Sequence, residues 1–403
     1  MLDRKMLALA GTIAAVMAAV APARAEEPGL TATTIRIGMF APLSGPSISY
    51  GQDVLNAARM YYDKINREGG INGRRIEVVV EDDRCNANDL VAAVKKLVEQ
   101  DNVFLLNGGS CSAATVAATD YVVRSQVPFV MLNASGDGAL FPPNPYIFGA
   151  FSISQHAEGG SMVDFAVSYL HAHRIGYINH NDAYGAWNLE AGRYQAQAEG
   201  ATLDVESLDP AITDVTAPML RLRAKNPDVI LNLTYARPAA LIVRRAAELG
   251  YDKPIVLAVN GIADLGQMVQ NVGIPTAFKN VYVQEVLRDI PSSPSLQWIY
   301  EMYRRAYPDL AREPGHPQVY MPYGLPSAMA VVKALQAAGP ALTRQGFLDA
   351  LKKTDFDSGV MAGPIEFGPE RRDAQRAAIY LRFDGHEETR VPGSFASSWQ
   401  YGQ

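Results

Sequence analysis

The chain predicts an α/β protein built on parallel sheets, and two observations carry the prediction. Short apolar runs rich in β-branched residues alternate with helix-period patterns along almost all of the 403 residues, the rhythm of linked βαβ units. Those runs are continuous rather than alternating with polar residues, as strands covered on both faces require. The first unit is the clearest. Residues 35–40 (IRIGMF) form an apolar strand, and 41–51 is a Gly, Pro and Ser turn region. From 52 to 67, apolar side chains recur at Val54, Leu55, Ala58, Tyr61, Tyr62 and Ile65, a helical spacing. Gly69 and Gly70 stop that helix, and 76–80 (IEVVV) is the second strand. The loop after the first strand lies where open α/β sheets bind ligands.

The alternation continues. Helical patterns cover 88–100, 113–124, 156–172, 185–199, 215–225, 237–249, 295–307, 325–338 and 343–352. Strand patterns cover 103–107, 127–132, 175–179, 229–233, 255–259 and 281–286. Composition breaks fall at 141–145, 289–295 and 358–364. By themselves they suit two lobes or one large doubly wound domain equally.

The N-terminus reads as a secretory signal peptide. Asp3-Arg4-Lys5 precedes an Ala-rich apolar stretch over 6–20, and Ala23-Arg24-Ala25 is a small-x-small cleavage site. A membrane anchor is the alternative, but the run is short for a span and ends in Pro22 and Arg24. Cleavage after Ala25 removes three basic residues and one acidic residue, taking the formal charge from −6 to −8. With no basic patch, nucleic acid is not an expected partner.

Cys85 and Cys111 follow the second and third strands, read as neighbours in the sheet, and an exported protein favours their pairing. Two free buried thiols are the alternative. The six His and two Cys show no zinc spacing, and G-x-S-x-G, P-loop and H-E-x-x-H patterns are absent from the sequence. Ser112 has no His near it, and the acidic groups at 81–83 and 387–388 read as solvated strand-end and turn residues. The chain is therefore not expected to be an enzyme or to carry a cofactor.

The segments PLSGP (42–46), YGQD (50–53), NREGGINGR (66–74) and VVEDD (79–83) together resemble the opening of the Leu/Ile/Val-binding protein family. The resemblance implies the type I periplasmic-binding fold, with two Rossmann-like lobes, parallel sheets and three hinge crossings. Laid on this chain, it gives a first lobe of 33–150 plus 290–362 and a second of 151–289 plus 363–403. It implies a periplasmic, monomeric solute receptor that binds a small-molecule carboxylate and hands it to the permease of an ABC transporter in the inner membrane. A ligand-sensing module serving a signalling partner is the alternative on the same fold. Family members also often bridge the two Cys motifs by a disulfide.

The binding residues follow. Residues 107–112 (NGGSCS) end a strand and open a helix, a place where free N–H groups and hydroxyls favour a carboxylate. Ser110 or Ser112 as a plain N-cap is the simpler account. The resemblance puts Ser112 on the ligand carboxylate and the backbone of Ala134 beside the ligand. Gly136 stands where amino-acid binders usually have Thr, so Ser135 or a backbone N–H substitutes. In the second lobe, Tyr184 of the Asp182-Ala-Tyr-Gly185 motif and Tyr235 resemble cleft tyrosines, while Trp187 and Tyr50 are candidate aromatic walls. Ordinary packing accounts for each of these rings equally well. Asn260 aligns with the acid that pairs with an amino acid's ammonium; losing that ion pair costs several kcal/mol. The expected ligand is a carboxylate without an α-ammonium, such as an aromatic acid. An amino acid is the alternative, with Asp137 as the substitute acid.

Overall fold

The computed structural model describes residues 27–45, 47–259, 265–290, 292–312 and 320–402. The expected signal peptide and Asn260 lie outside the described residues, as does the side chain of Tyr50. In chain order, the first lobe comprises β1 (Thr34–Ala41), α1 (Ile48–Arg67), β2 (Arg75–Asp82), α2 (Ala87–Glu99), β3 (Leu105–Gly108), α3 (Ser112–Ala117), α4 (Thr119–Ser125), β4 (Phe129–Met131), α5 (Asp137–Leu140) and β5 (Ile147–Ile153). The second comprises α6 (Gln155–Asp164), β6 (Arg174–His180), α7 (Ala183–Glu199), β7 (Thr202–Leu208), α8 (Thr216–Lys225), β8 (Val229–Leu233), α9 (Ala236–Glu248), β9 (Ile255–Leu257), α10 (Leu265–Val272) and β10 (Val281–Glu285). There follow α11 (Gln297–Ala306), α12 (Leu325–Ala338), α13 (Arg344–Leu351), β11 (Asp355–Phe356), β12 (Ile365–Glu366), β13 (Asp373–Gln375), β14 (Ala377–Phe383), β15 (Glu388–Arg390) and β16 (Phe395–Ala396).

Strand burial explains the sandwich in each lobe. In β1, Ile35, Ile37 and Met39 pack on one face with Val54, Leu55 and Tyr62 of α1 and with α12. Phe40 turns to the other face with Leu90, Val94 and Leu97 of α2. Both faces are dry, so the run reads as continuously apolar. The second lobe repeats the plan: Leu231 and Leu233 pack with Met162 and Val163 of α6, and Ile230 packs with Ile242 and Val243 of α9.

The first sheet has the order β13-β5-β4-β3-β1-β2, and the second runs β15-β14-β10-β9-β8-β6-β7 with β16 paired to β14. The first is parallel throughout. The second is mixed, because β14 runs antiparallel to β10 and to β15. The chain passes between sheets after β5, after β10 and after β13.

Three expectations need correction. The crossing expected at 141–145, with the first segment ending at 150, comes later, because β5 still belongs to the first sheet and ends at Ile153. The first lobe does not end at 362: Asp373 and Gln375 pair with Gly149 and Ile153. Nor are β2 and β3 neighbours, since β1 lies between them. The Cys85 and Cys111 loops meet over the end of β1, because helices α2 and α3 cover the same face.

Candidate functional site

The carboxyl ends of β3 and β4 bring Ser112 and Ser135 together. The Ser135 N–H donates to Ser112 Oγ at 3.1 Å, and the two Oγ atoms are 3.4 Å apart. Close backbone approach makes this possible. Gly109 has φ +82° and leaves no room for a β-carbon, which would stand 2.7 Å from Thr115 Oγ1. The N–H of Ala134 donates to the Gly109 carbonyl at 3.1 Å, so that backbone group is engaged within the protein. The Cys85–Cys111 disulfide, with Cα atoms 5.5 Å apart, anchors the residue just before Ser112.

The expected helix over 113–124 is two helices, broken at Ala118, and α3 has only 6 residues. A short helix gives a weak terminal dipole. At Gly136, a β-carbon would lie 2.9 Å from Val116 Cγ2 and 3.2 Å from the Ser112 carbonyl oxygen. Packing around this position leaves no room for the Thr that the resemblance leads one to expect there, unless Val116 moves.

The orientation of the hydroxyls follows from their partners. Gln155, at the start of α6, accepts the Asp137 N–H on Oε1 at 2.9 Å. A backbone N–H only donates, so the amide Nε2 must face Ser135 Oγ, at 3.0 Å. Ser135 Oγ therefore accepts from Gln155, and Ser112 Oγ accepts from the Ser135 N–H. Their own long contact at 3.4 Å takes at most one of the two O–H groups, so at least one is left to donate outward.

Asp137 is not free to hold a ligand cation. It is 1% exposed; Oδ1 accepts from Gln155 N at 3.0 Å, and Oδ2 accepts from His156 N at 3.1 Å and lies 2.6 Å from His156 Nδ1. Burial raises its pKa, while the His156 bond and charge and the backbone donors oppose that rise. The ring of Trp399 stacks on His156 at 3.6 Å, and Phe141 packs edge-on against both. Asp83 also departs from expectation: it is fully buried, with a pKa raised to about 6 by desolvation, and Oδ1 accepts the Cys85 N–H.

In the second lobe, Tyr184 and Tyr235 stack with centroids 5.2 Å apart and planes at 27°. Asp182 caps α7 by accepting the Gly185 N–H at 3.0 Å, and its other oxygen is 3.5 Å from Tyr235 Oη. His180 holds the base of this pair: Nε2 accepts the Tyr235 N–H at 2.9 Å, and Nδ1 faces the Leu208 carbonyl at 3.3 Å. Those two bonds require the neutral ring, and burial lowers its pKa accordingly. Tyr235 remains 41% exposed, and burial, then the Asp182 charge, pushes its phenol up to about 12. Trp187 of α7 reaches the first lobe, where a β-carbon on Gly138 would stand 3.2 Å from its ring. Val116 borders both Gly136 and Gly138, so Trp187 sits beside the Ser112–Ser135 ledge.

No sequence motif marks Gln155, His156 or His180. A signal for Gln155 existed: it follows β5, whose carboxyl end lies on the same edge as those of β3 and β4.

Two lobes built on mainly parallel-stranded sheets and linked by three crossings have the architecture of the type I solute-binding proteins. The chain belongs to the periplasmic binding protein family, whose pattern matches residues 34–387. That membership makes it a substrate-binding protein rather than an enzyme. A Leu/Ile/Val-binding protein homolog 8 from Brucella abortus (strain 2308) is 23% identical over 377 residues, covering 90% of this chain and 91% of that protein. Among solved structures, the branched-chain amino acid transporter substrate binding protein LivJ from Streptococcus pneumoniae, bound to isoleucine, matches with TM-score 0.67 at 23% identity over 90% of this chain and 99% of that one. A solute binding protein of R. palustris in complex with 4-hydroxybenzoate matches with TM-score 0.71 at 17% identity, over 92% and 99%. Among the described residues, no helix is long and apolar enough to cross a membrane.

Proposed function

We propose that this protein captures a small aromatic or other carboxylate lacking an α-ammonium in the periplasm, and delivers it to the permease of an ABC transporter. One observation carries the reading. Both first-lobe hydroxyls, Ser112 and Ser135, accept N–H bonds from the protein, and only their long 3.4 Å contact with each other competes with a ligand for their O–H groups. Two such donors side by side suit an anion. The nearby acids Asp137 and Asp182 are engaged at helix starts, and the Tyr184–Tyr235 stack offers a flat surface. The fold's likeness to a protein holding 4-hydroxybenzoate is consistent with such a ligand. The ligand docks on the Ser112–Ser135 ledge, and hinge rotation brings the second-lobe rings over it. Closure shifts a population by no more than the ligand's preference for the closed form.

A second reading, an amino-acid receptor, is favoured by Glu158. This α6 carboxylate is 1% exposed, and its charge contributes to the raised pKa of Tyr235. Titration calorimetry with benzoate, 4-hydroxybenzoate, a phenylpropanoid acid, leucine and phenylalanine separates the two. Micromolar binding of the deaminated acids with silent amino acids is the expected result. The reverse pattern would overturn the proposal and assign the ammonium to Glu158.

A further inference from the structure

We propose that Gln155 is a positioning residue that sets the polarity of the ligand ledge from the hinge. This inference rests on the carboxylate reading and names the group that makes the ledge a donor. Gln155 is 3% exposed and stands at the crossing, two residues past the end of β5 and first in α6. Three bonds tie it to residues 135–137: its backbone N–H to Asp137 Oδ1 at 3.0 Å, its Oε1 to the Asp137 N–H at 2.9 Å, and its Nε2 to Ser135 Oγ at 3.0 Å.

The chemistry runs in one direction. The Asp137 N–H fixes the amide oxygen, the amide nitrogen then fills an acceptor site on Ser135 Oγ, and the Ser135 proton is turned away from Gln155, toward the ledge it shares with Ser112. Without Gln155, Ser135 could turn its O–H into the place the amide nitrogen leaves and present a lone pair to the ligand. That outcome removes a donor from the anion. Because Gln155 also begins α6, which packs in the second-lobe core through Met162 and Val163, a change in hinge angle moves the group that orients Ser135.

The test is a double-mutant cycle on the full mature chain, with 4-hydroxybenzoate as the calorimetric probe. Gln155→Met is expected to weaken binding about tenfold in the wild-type background and less than twofold in the Ser135→Ala background. Equal losses in both backgrounds would overturn the proposal. Gln155→Glu keeps the acceptor for the Asp137 N–H; it serves if the Met variant fails to fold and is judged by the same cycle. A ligand-free measurement separates failure of this inference from failure of the carboxylate reading. Amide hydrogen exchange at Ser135 should quicken about tenfold in Gln155→Met, with exchange at Ile37 in β1 unchanged. Unchanged exchange at Ser135 would overturn the proposal even if 4-hydroxybenzoate binds. Quickened exchange with no 4-hydroxybenzoate binding to the wild type would leave Gln155 in its role and reject only the ligand class.

Discussion

Trp187 in the second lobe lies over Gly138 in the first, close enough that a β-carbon on Gly138 would sit 3.2 Å from the indole. The contact joins α7 to α5 beside the ledge, so the indole's surroundings depend on the angle between the lobes. Ligand addition is expected to change tryptophan emission, and Trp187→Phe should remove most of that change, although Trp298 and Trp399 remain. Gly138→Val should weaken binding several-fold by holding the lobes apart, read as a larger radius of gyration in X-ray scattering with ligand present. An unchanged signal in Trp187→Phe would place the closing contact elsewhere.

Ser112→Ala should weaken carboxylate binding by about 1–3 kcal/mol, the scale of a hydrogen bond to a charged group. Ser112→Asp should nearly abolish it, because a carboxylate then faces a carboxylate. Calorimetry against the aromatic acids checks both, and normal binding by Ser112→Asp would move the anion off this ledge.

The Cys85–Cys111 bond closes a loop with a sequence separation of 26. Loop entropy puts its contribution at about 3.5 kcal/mol. The paired Cys85→Ala, Cys111→Ala variant should melt lower, and should bind more weakly because the residue preceding Ser112 is released. Thiol labelling of the denatured, unreduced protein should find no reactive thiol; two would disprove the bond.

Glu285 ends β10 at the second crossing and accepts the N–H groups of Val286 and Leu287 at 2.7 and 2.9 Å. Desolvation raises its pKa to about 7 against an ordinary 4.5, despite those donors and the Tyr323 hydroxyl. Between those values the folded state holds the extra proton, so this group's stabilising effect is complete below pH 4.5 and fades as pH rises through 7. Glu285→Gln should therefore gain stability over the wild type above pH 7, by up to about 3 kcal/mol, with the gap closing near pH 5. Urea melts at pH 5, 6, 7 and 8 would show it, and a gap that does not change with pH would refute it.

Eight strands, β1–β4, β6 and β8–β10, were legible because their apolar runs are local. Residues 229–233 form β8 as read, and the pattern at 281–286 became β10. β13 was not legible: its Asp373-Ala374-Gln375 has no apolar run, and it is a strand because β5 offers an open edge to pair with. The same limit moved the lobe boundary expected at 362.

The site divides in the same way. Sequence determined which residues could donate: Ser112 and Ser135 lie at strand ends, where side chains and turns are set by near neighbours. It also determined the two cysteines available to pair. Only the tertiary structure decided the polarity of the hydroxyls and the engagement of Asp137, because the deciding partner, Gln155, lies 18–20 residues away on another element. The Trp399 ring that packs behind His156 comes from the chain's far end. Periodicity reports which face of an element is dry; it carries no information about which distant side chain supplies the hydrogen bond that orients a hydroxyl.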